Sequence, residues 1–123
     1  MWSDFDFNEP YNGEFNNVIY GVELPEEYVA FMKAHNGGEG DTGESWLVLF
    51  PIEELQEVND DYHEFLPEGN IIIGSNGGGE LFGINNTGQY FIVPELIEEE
   101  YLEVIGESIK SLPADINRYW NEQ

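Results

Sequence analysis

The sequence predicts an α+β fold built on a central, mostly antiparallel β-meander, and three stretches carry that prediction. Ile71, Ile72 and Ile73 form a β-branched run, and Leu81, Phe82 and Ile84 follow after Gly77, Gly78 and Gly79. Two buried strands flanking a glycine turn read as a hairpin at the centre of a sheet. Asn85, Asn86, Thr87 and Gly88 read as a second hairpin turn, leading into a strand over residues 89–93 that Pro94 closes. Residues 24–38 carry the clearest helix: Pro25 suits the first turn, Glu26 and Glu27 complement the positive end of the dipole, and Tyr28, Phe31, Met32 and His35 follow the spacing of one buried face.

The remaining elements fall around these. Residues 1–20 alternate aromatics with acids and amides and are expected to form an extended or partly irregular arm, or a short helix, packed on through Trp2, Phe5, Phe7, Tyr11, Phe15 and Tyr20. Asn36, Gly37 and Gly38 end the first helix, with Lys33 and His35 near its negative end. Residues 39–45 read as a polar, acidic loop, and the apolar run of residues 46–50, stopped by Pro51, as a central strand. Residues 52–65 read as a second helix, with Ile52, Leu55, Val58 or Asn59, and Tyr62 inward and Glu53, Glu54, Glu57, Asp60 and Asp61 outward. Past residue 95 two readings stay open, a helix or a short edge strand over residues 101–105. A closing helix capped by Ser108 or Ser111 is expected to carry Leu112, Ile116, Tyr119 and Trp120 inward.

At 123 residues the chain is expected to be one domain with one core. A hydrophobic content of 41% argues against disorder despite a net charge of -23. The absence of cysteine excludes disulfides and thiolate metal sites. The first residues lack the basic and apolar regions of a signal peptide, so a cytoplasmic protein is expected. No window is apolar enough for a membrane span, and anionic headgroups repel such a surface, so no membrane association is expected. Only Lys33, Lys110 and Arg118 are positive against 26 acidic residues. Nucleic acid is bound mainly by neutralising phosphates, so direct nucleic-acid binding is not expected. A basic protein partner is the complementary expectation, with plain solubility as the alternative use of the charge.

The candidate chemical motifs are weak. The glycine run is followed by Glu80 and a strand and matches neither phosphate-loop pattern, so it reads as a tight turn. Glu39, Asp41 and Glu44 do not follow the calcium-loop spacing. His35 reads as a packing or capping histidine, and His63, near Asp60, has no evident nucleophile beside it. The pair Glu53 and Glu57 lies one turn apart with no lysine to relieve it, a local cost that solubility alone does not require.

Leu24-Pro25-Glu26-Glu27-Tyr28, Phe31-Met32, Asn36-Gly37-Gly38-Glu39-Gly40, Trp46 opening a strand, and Ile73-Gly74-Ser75-Asn76-Gly77-Gly78-Gly79-Glu80 followed by Phe82-Gly83 resemble, in order and spacing, the SMI1/KNR4 family of the SUKH superfamily. The resemblance runs over about residues 24–93. It implies an α+β domain with helices packed against a central, mostly antiparallel sheet, no catalytic residues and no cofactor. It also implies either a bacterial immunity protein that neutralises a toxin, often a nuclease, or a scaffold of the fungal cell-wall kind, and the bare domain resembles the bacterial members. A nuclease has a basic cleft that a carboxylate surface can cover. The expected contact residues are Glu39, Asp41, Glu44, Glu53, Glu57, Asp60, Asp61 and Glu80. Trp46 or Tyr62 are the aromatic anchors considered, although the core is the preferred place for Trp46.

Overall fold

A computed structural model describes residues 2–123. In chain order it contains β1 (Phe5–Phe7), β2 (Val18–Ile19), β3 (Val22–Glu23), α1 (Glu26–His35), β4 (Gly38–Asp41), β5 (Trp46–Leu49), α2 (Leu55–Tyr62), β6 (Asn70–Ser75), β7 (Glu80–Asn85), β8 (Tyr90–Pro94), β9 (Glu103–Gly106) and α3 (Leu112–Asn121). Seven strands form one sheet in the order β1-β4-β5-β6-β7-β8-β9, with every neighbouring pair antiparallel. The fold is therefore the expected α+β class, and the glycine-turn hairpin β6–β7 occupies the middle of the sheet.

The isoleucine run is buried on both faces. Ile71 and Ile73 join Leu47, Leu49, Phe82, Ile84, Tyr90 and Ile92 against α1 (Tyr28, Met32) and α3 (Leu112, Ile116). Ile72 points the other way, into a smaller core with Leu66, Leu81, Phe91 and Val93, partly covered by Val58, Tyr62, Ile97 and Leu102. Alternation of side chains along a strand puts each set on its own layer. The glycine turn is held by Asn76, whose Oδ1 accepts from the amides of Gly78 (2.8 Å) and Glu80 (3.0 Å). Gly77 and Gly79 carry the positive φ values the reversal needs.

Asn59 closes a gap in the sheet. Strand β5 pairs with β6 only at Ser75 and Gly74, and at the next stretch α2 replaces it. The fully buried Asn59 side chain donates to the Ile72 carbonyl (2.9 Å) and accepts from the Ile72 amide (2.7 Å), as a neighbouring strand would. Asn36, in the left-handed conformation, caps α1 and accepts from the Ile52 amide at 2.9 Å, which fixes the turn into the second helical segment.

Three expectations need correction, on the acidic loop, the second helix and His35, and the readings left open are resolved. In the arm the extended reading holds at residues 5–7, which form the edge strand β1: Phe5 and Phe7 pack with Trp2, Phe31 and His35 while Asp6 faces away. The acidic loop is shorter than expected because residues 38–41 form β4. Its glycines let β1 approach: a Cβ on Gly40 would lie 2.5 Å from the Asp4 carbonyl oxygen. A hairpin at Tyr20 and Gly21, both with positive φ, joins β2 to β3 and is an addition to the expected elements. The second helix begins as a 3-10 turn at Ile52–Glu54 and ends at Tyr62, short of Phe65. His35 lies outward on α1, stacked on Phe7. After residue 95 the edge strand is β9, and the closing helix is α3, with Ser111 at its N-cap. No helix among the described residues is long and apolar enough to cross a membrane.

Candidate functional site

The smaller core covers the second face of the sheet only over β6, β7 and β8, so β1, β4 and β5 are open on that side. On β4, Gly38 and Gly40 turn to the helices and Glu39 and Asp41 to solvent. On β5, Leu47 and Leu49 are buried while Trp46 and Val48 lie on the open face. Register places Asp41 beside Trp46, Glu39 beside Val48 and Asp6 beside Glu39. Trp46 is 43% exposed, so its expected core placement is wrong. The apolar run of residues 46–50 reads as buried on both faces, but only the alternate residues meet α1 and α3. The indole N–H donates to Glu39 Oε2 at 3.3 Å. Beside it a groove of about 340 Å³ has Val48 and Phe50 as its floor and Asp6, Glu39 and Glu54 on its walls.

The other expected contact residues lie elsewhere. Glu44 sits in the turn after β4, where its amide donates to Asn117 Oδ1 of α3 at 2.9 Å. Glu53 accepts from Asn36 Nδ2 at 2.8 Å. Glu57, Asp60 and Asp61 are exposed on α2. Asp60 accepts from the Tyr20 hydroxyl and from Gln56 Nε2 (3.1 Å). Those donors hold its carboxyl below the usual carboxylate range, and the same bond pushes the Tyr20 phenol up. His63 stacks on the Tyr20 ring with centroids 4.1 Å apart. Glu80 accepts from Asn76 Nδ2 at 2.6 Å and lines a separate hollow with Glu100, Glu103, Tyr101 and Tyr119. There burial, followed by the fields of Glu103 and Glu80, pushes the Tyr119 phenol up.

The structure therefore brings together Glu39, Asp41 and Trp46, and separates them from the α2 acids and from Glu80. Asp6 and Glu54 are functional candidates the sequence reading left out. The signal for Asp6 was the Phe-Asp-Phe alternation of residues 5–7, a pattern of an edge strand with its acid turned away from two aromatics.

The three cations accompany the opposite layer. Lys33 is on α1, the Lys110 carbonyl accepts from Trp2 Nε1 (3.2 Å) just before α3, and Arg118 on α3 pairs with Asp115 at 2.8 Å. The open face of β1, β4 and β5 thus carries acids with no lysine or arginine of its own among the described residues. No group of three His, Cys, Asp or Glu side chains among the described residues is placed to hold a metal ion. A family model described as SMI1 / KNR4 family (SUKH-1) matches residues 14–112, extending on both sides of the stretch that carries the resemblance. No curated protein matches the chain.

Proposed function

The chain belongs to the SMI1 / KNR4 family (SUKH-1), and from that membership we propose that it is a non-catalytic binding module of the immunity type, which neutralises a toxin by covering its basic active-site cleft. The toxin is a nuclease on this reading, because a nuclease must present cations to hold phosphates. The observation that supports it is the placement of the few cations. With 26 acids and three cations, the cations accompany the α1 and α3 layer, while the opposite sheet face is left anionic. A field of one sign accelerates encounter with a partner of the other and competes with the polyanion the partner would otherwise hold.

Binding fits these residues better than turnover does. The His63 ring is engaged in its stack on Tyr20. The test is association of the purified protein with a basic nuclease toxin domain encoded beside it, measured as on-rate against salt. The expected result is a rate falling at least about tenfold between 0.05 and 0.5 M salt, as the Debye length contracts. Salt-independent association would refute the polyanion mechanism. A native-lysate pull-down that recovers housekeeping assembly proteins and no basic toxin domain would favour a scaffold role instead.

A further inference from the structure

We propose that the basic partner docks on the open face of β1, β4 and β5 by laying an arginine side chain over the Trp46 indole, between Glu39 and Asp41. This rests on the reading of a basic protein partner and adds where, and through which chemistry, that partner is held. The occupant follows from charge complementarity combined with shape. Strand β5 needs an open-face residue opposite Asp41, a place where a threonine would serve the strand equally well. The chain instead keeps a tryptophan there, 43% exposed, with one edge fixed by its N–H donation to Glu39. Fixing the edge limits the ring's motion and leaves a π surface bordered by two carboxylates.

A guanidinium is planar, stacks on an indole face, and carries donors that reach carboxylates on either side; a lysine ammonium has no plane to stack and is more strongly hydrated. Exposed tryptophan and incoming arginine are the residue types that dominate interface energies. The adjoining groove, with Val48 and Phe50 beneath and Asp6 and Glu54 at its sides, has room for the next residue of the same partner segment. Asp60 and Glu53 are tied to side chains elsewhere in the chain, Tyr20, Gln56 and Asn36, whereas Asp41 accepts from the Gly43 amide of its own turn (2.7 Å) and Glu39 from the Trp46 indole itself. The hollow around Tyr101 and Tyr119 also combines acids with aromatics and serves as the rival site.

The experiment measures binding of labelled nona-arginine and nona-lysine peptides by anisotropy in 0.15 M salt. Wild type is expected to prefer the arginine peptide at least fivefold. Trp46→Ala and Trp46→Leu should abolish that preference with the far-ultraviolet spectrum intact, and Glu39→Gln with Asp41→Asn should weaken both peptides at least fivefold. Glu57→Gln with Asp61→Asn removes the same charge from α2, Glu100→Gln with Glu103→Gln removes it from the rival hollow, and each pair should change binding less than twofold. If the Trp46 variants keep the arginine preference, or either control pair weakens binding as much as the Glu39 and Asp41 pair, the docking face is wrong and a basic partner still stands. If neither peptide binds wild type, the reading of a basic partner falls, and this proposal with it. A dimer in sedimentation that Trp46→Ala dissolves would make the face a contact between copies and overturn the proposal.

Discussion

Replacing Asn59 should destabilise the fold more than any exposed substitution, because one side chain completes the ladder of a central strand. Its amide meets three buried partners: the Ile72 carbonyl and amide, and the Leu55 carbonyl at 2.9 Å. Asn59→Leu keeps the branched outline, in a somewhat bulkier side chain, but leaves the Ile72 amide and carbonyl without partners in a site with no solvent access. At about 1–3 kcal/mol for each stranded group, the loss is about 2–6 kcal/mol. Asn59→Ala removes the same bonds and leaves a void that a water can enter, so its cost should fall toward the lower end of that range. Such losses are a large part of the total for a domain whose stability is on the order of 5–15 kcal/mol. Urea unfolding followed by tryptophan fluorescence and by far-ultraviolet circular dichroism measures both variants, with Asn16→Ala, an exposed amide, as control. If Asn59→Leu costs less than about 1 kcal/mol, the side chain is not standing in for a strand and the argument fails.

Tyr28 and Tyr90 make the fold sensitive to alkali. Burial pushes both phenols well above their ordinary value of 10.0, so they ionise in the unfolded chain first, and stability is full below pH 10 and lost as pH rises toward the folded values. Between pH 10 and the folded values the two together should remove about 2.7 kcal/mol per pH unit, about 1.4 each, which urea titrations between pH 9 and 11.5 would read; Tyr28→Phe should lower the slope by about 1.4 kcal/mol per pH unit, and an unchanged slope would contradict the account. Asn117 ties α3 to the turn after β4, accepting from Thr42 Oγ1 at 2.8 Å and from the Glu44 amide. Asn117→Ala should cost about 1–2 kcal/mol and speed hydrogen exchange at Glu44 while leaving Ile72 protected; equal protection in wild type and variant would show that the turn holds itself.

Most of the sheet is legible in the sequence because its strands obey local rules. The isoleucine run, the glycine turn and the Asn-Asn-Thr-Gly turn each point to one backbone geometry, and β6, β7 and β8 have it. The misreadings have a shared cause in one-sided or atypical strands. Gly-Glu-Gly-Asp has no β propensity and reads as a loop, yet its glycines are what β1 needs in order to approach. Trp46 sits in an unbroken apolar run, where periodicity cannot tell two covered faces from one. Which face lacks a helix depends on where α2 lands, a tertiary fact. Of the contact residues expected from charge, Glu39 and Asp41 converge with Trp46, while Asp60 and Glu53 are tied to partners far away in sequence, Tyr20 and Asn36, that a linear reading has no means to supply.

Both margins of the sheet resist extension. At one end β1 is three residues long, with an acid at its centre. At the other, Arg118 donates to the Ile105 carbonyl of β9 and occupies an acceptor that an added strand would want. A foreign segment therefore gains little by pairing backbone to backbone with this molecule. Whatever associates with it is directed onto side chains, where identity can be discriminated, and away from the generic adhesiveness of an unpaired ladder.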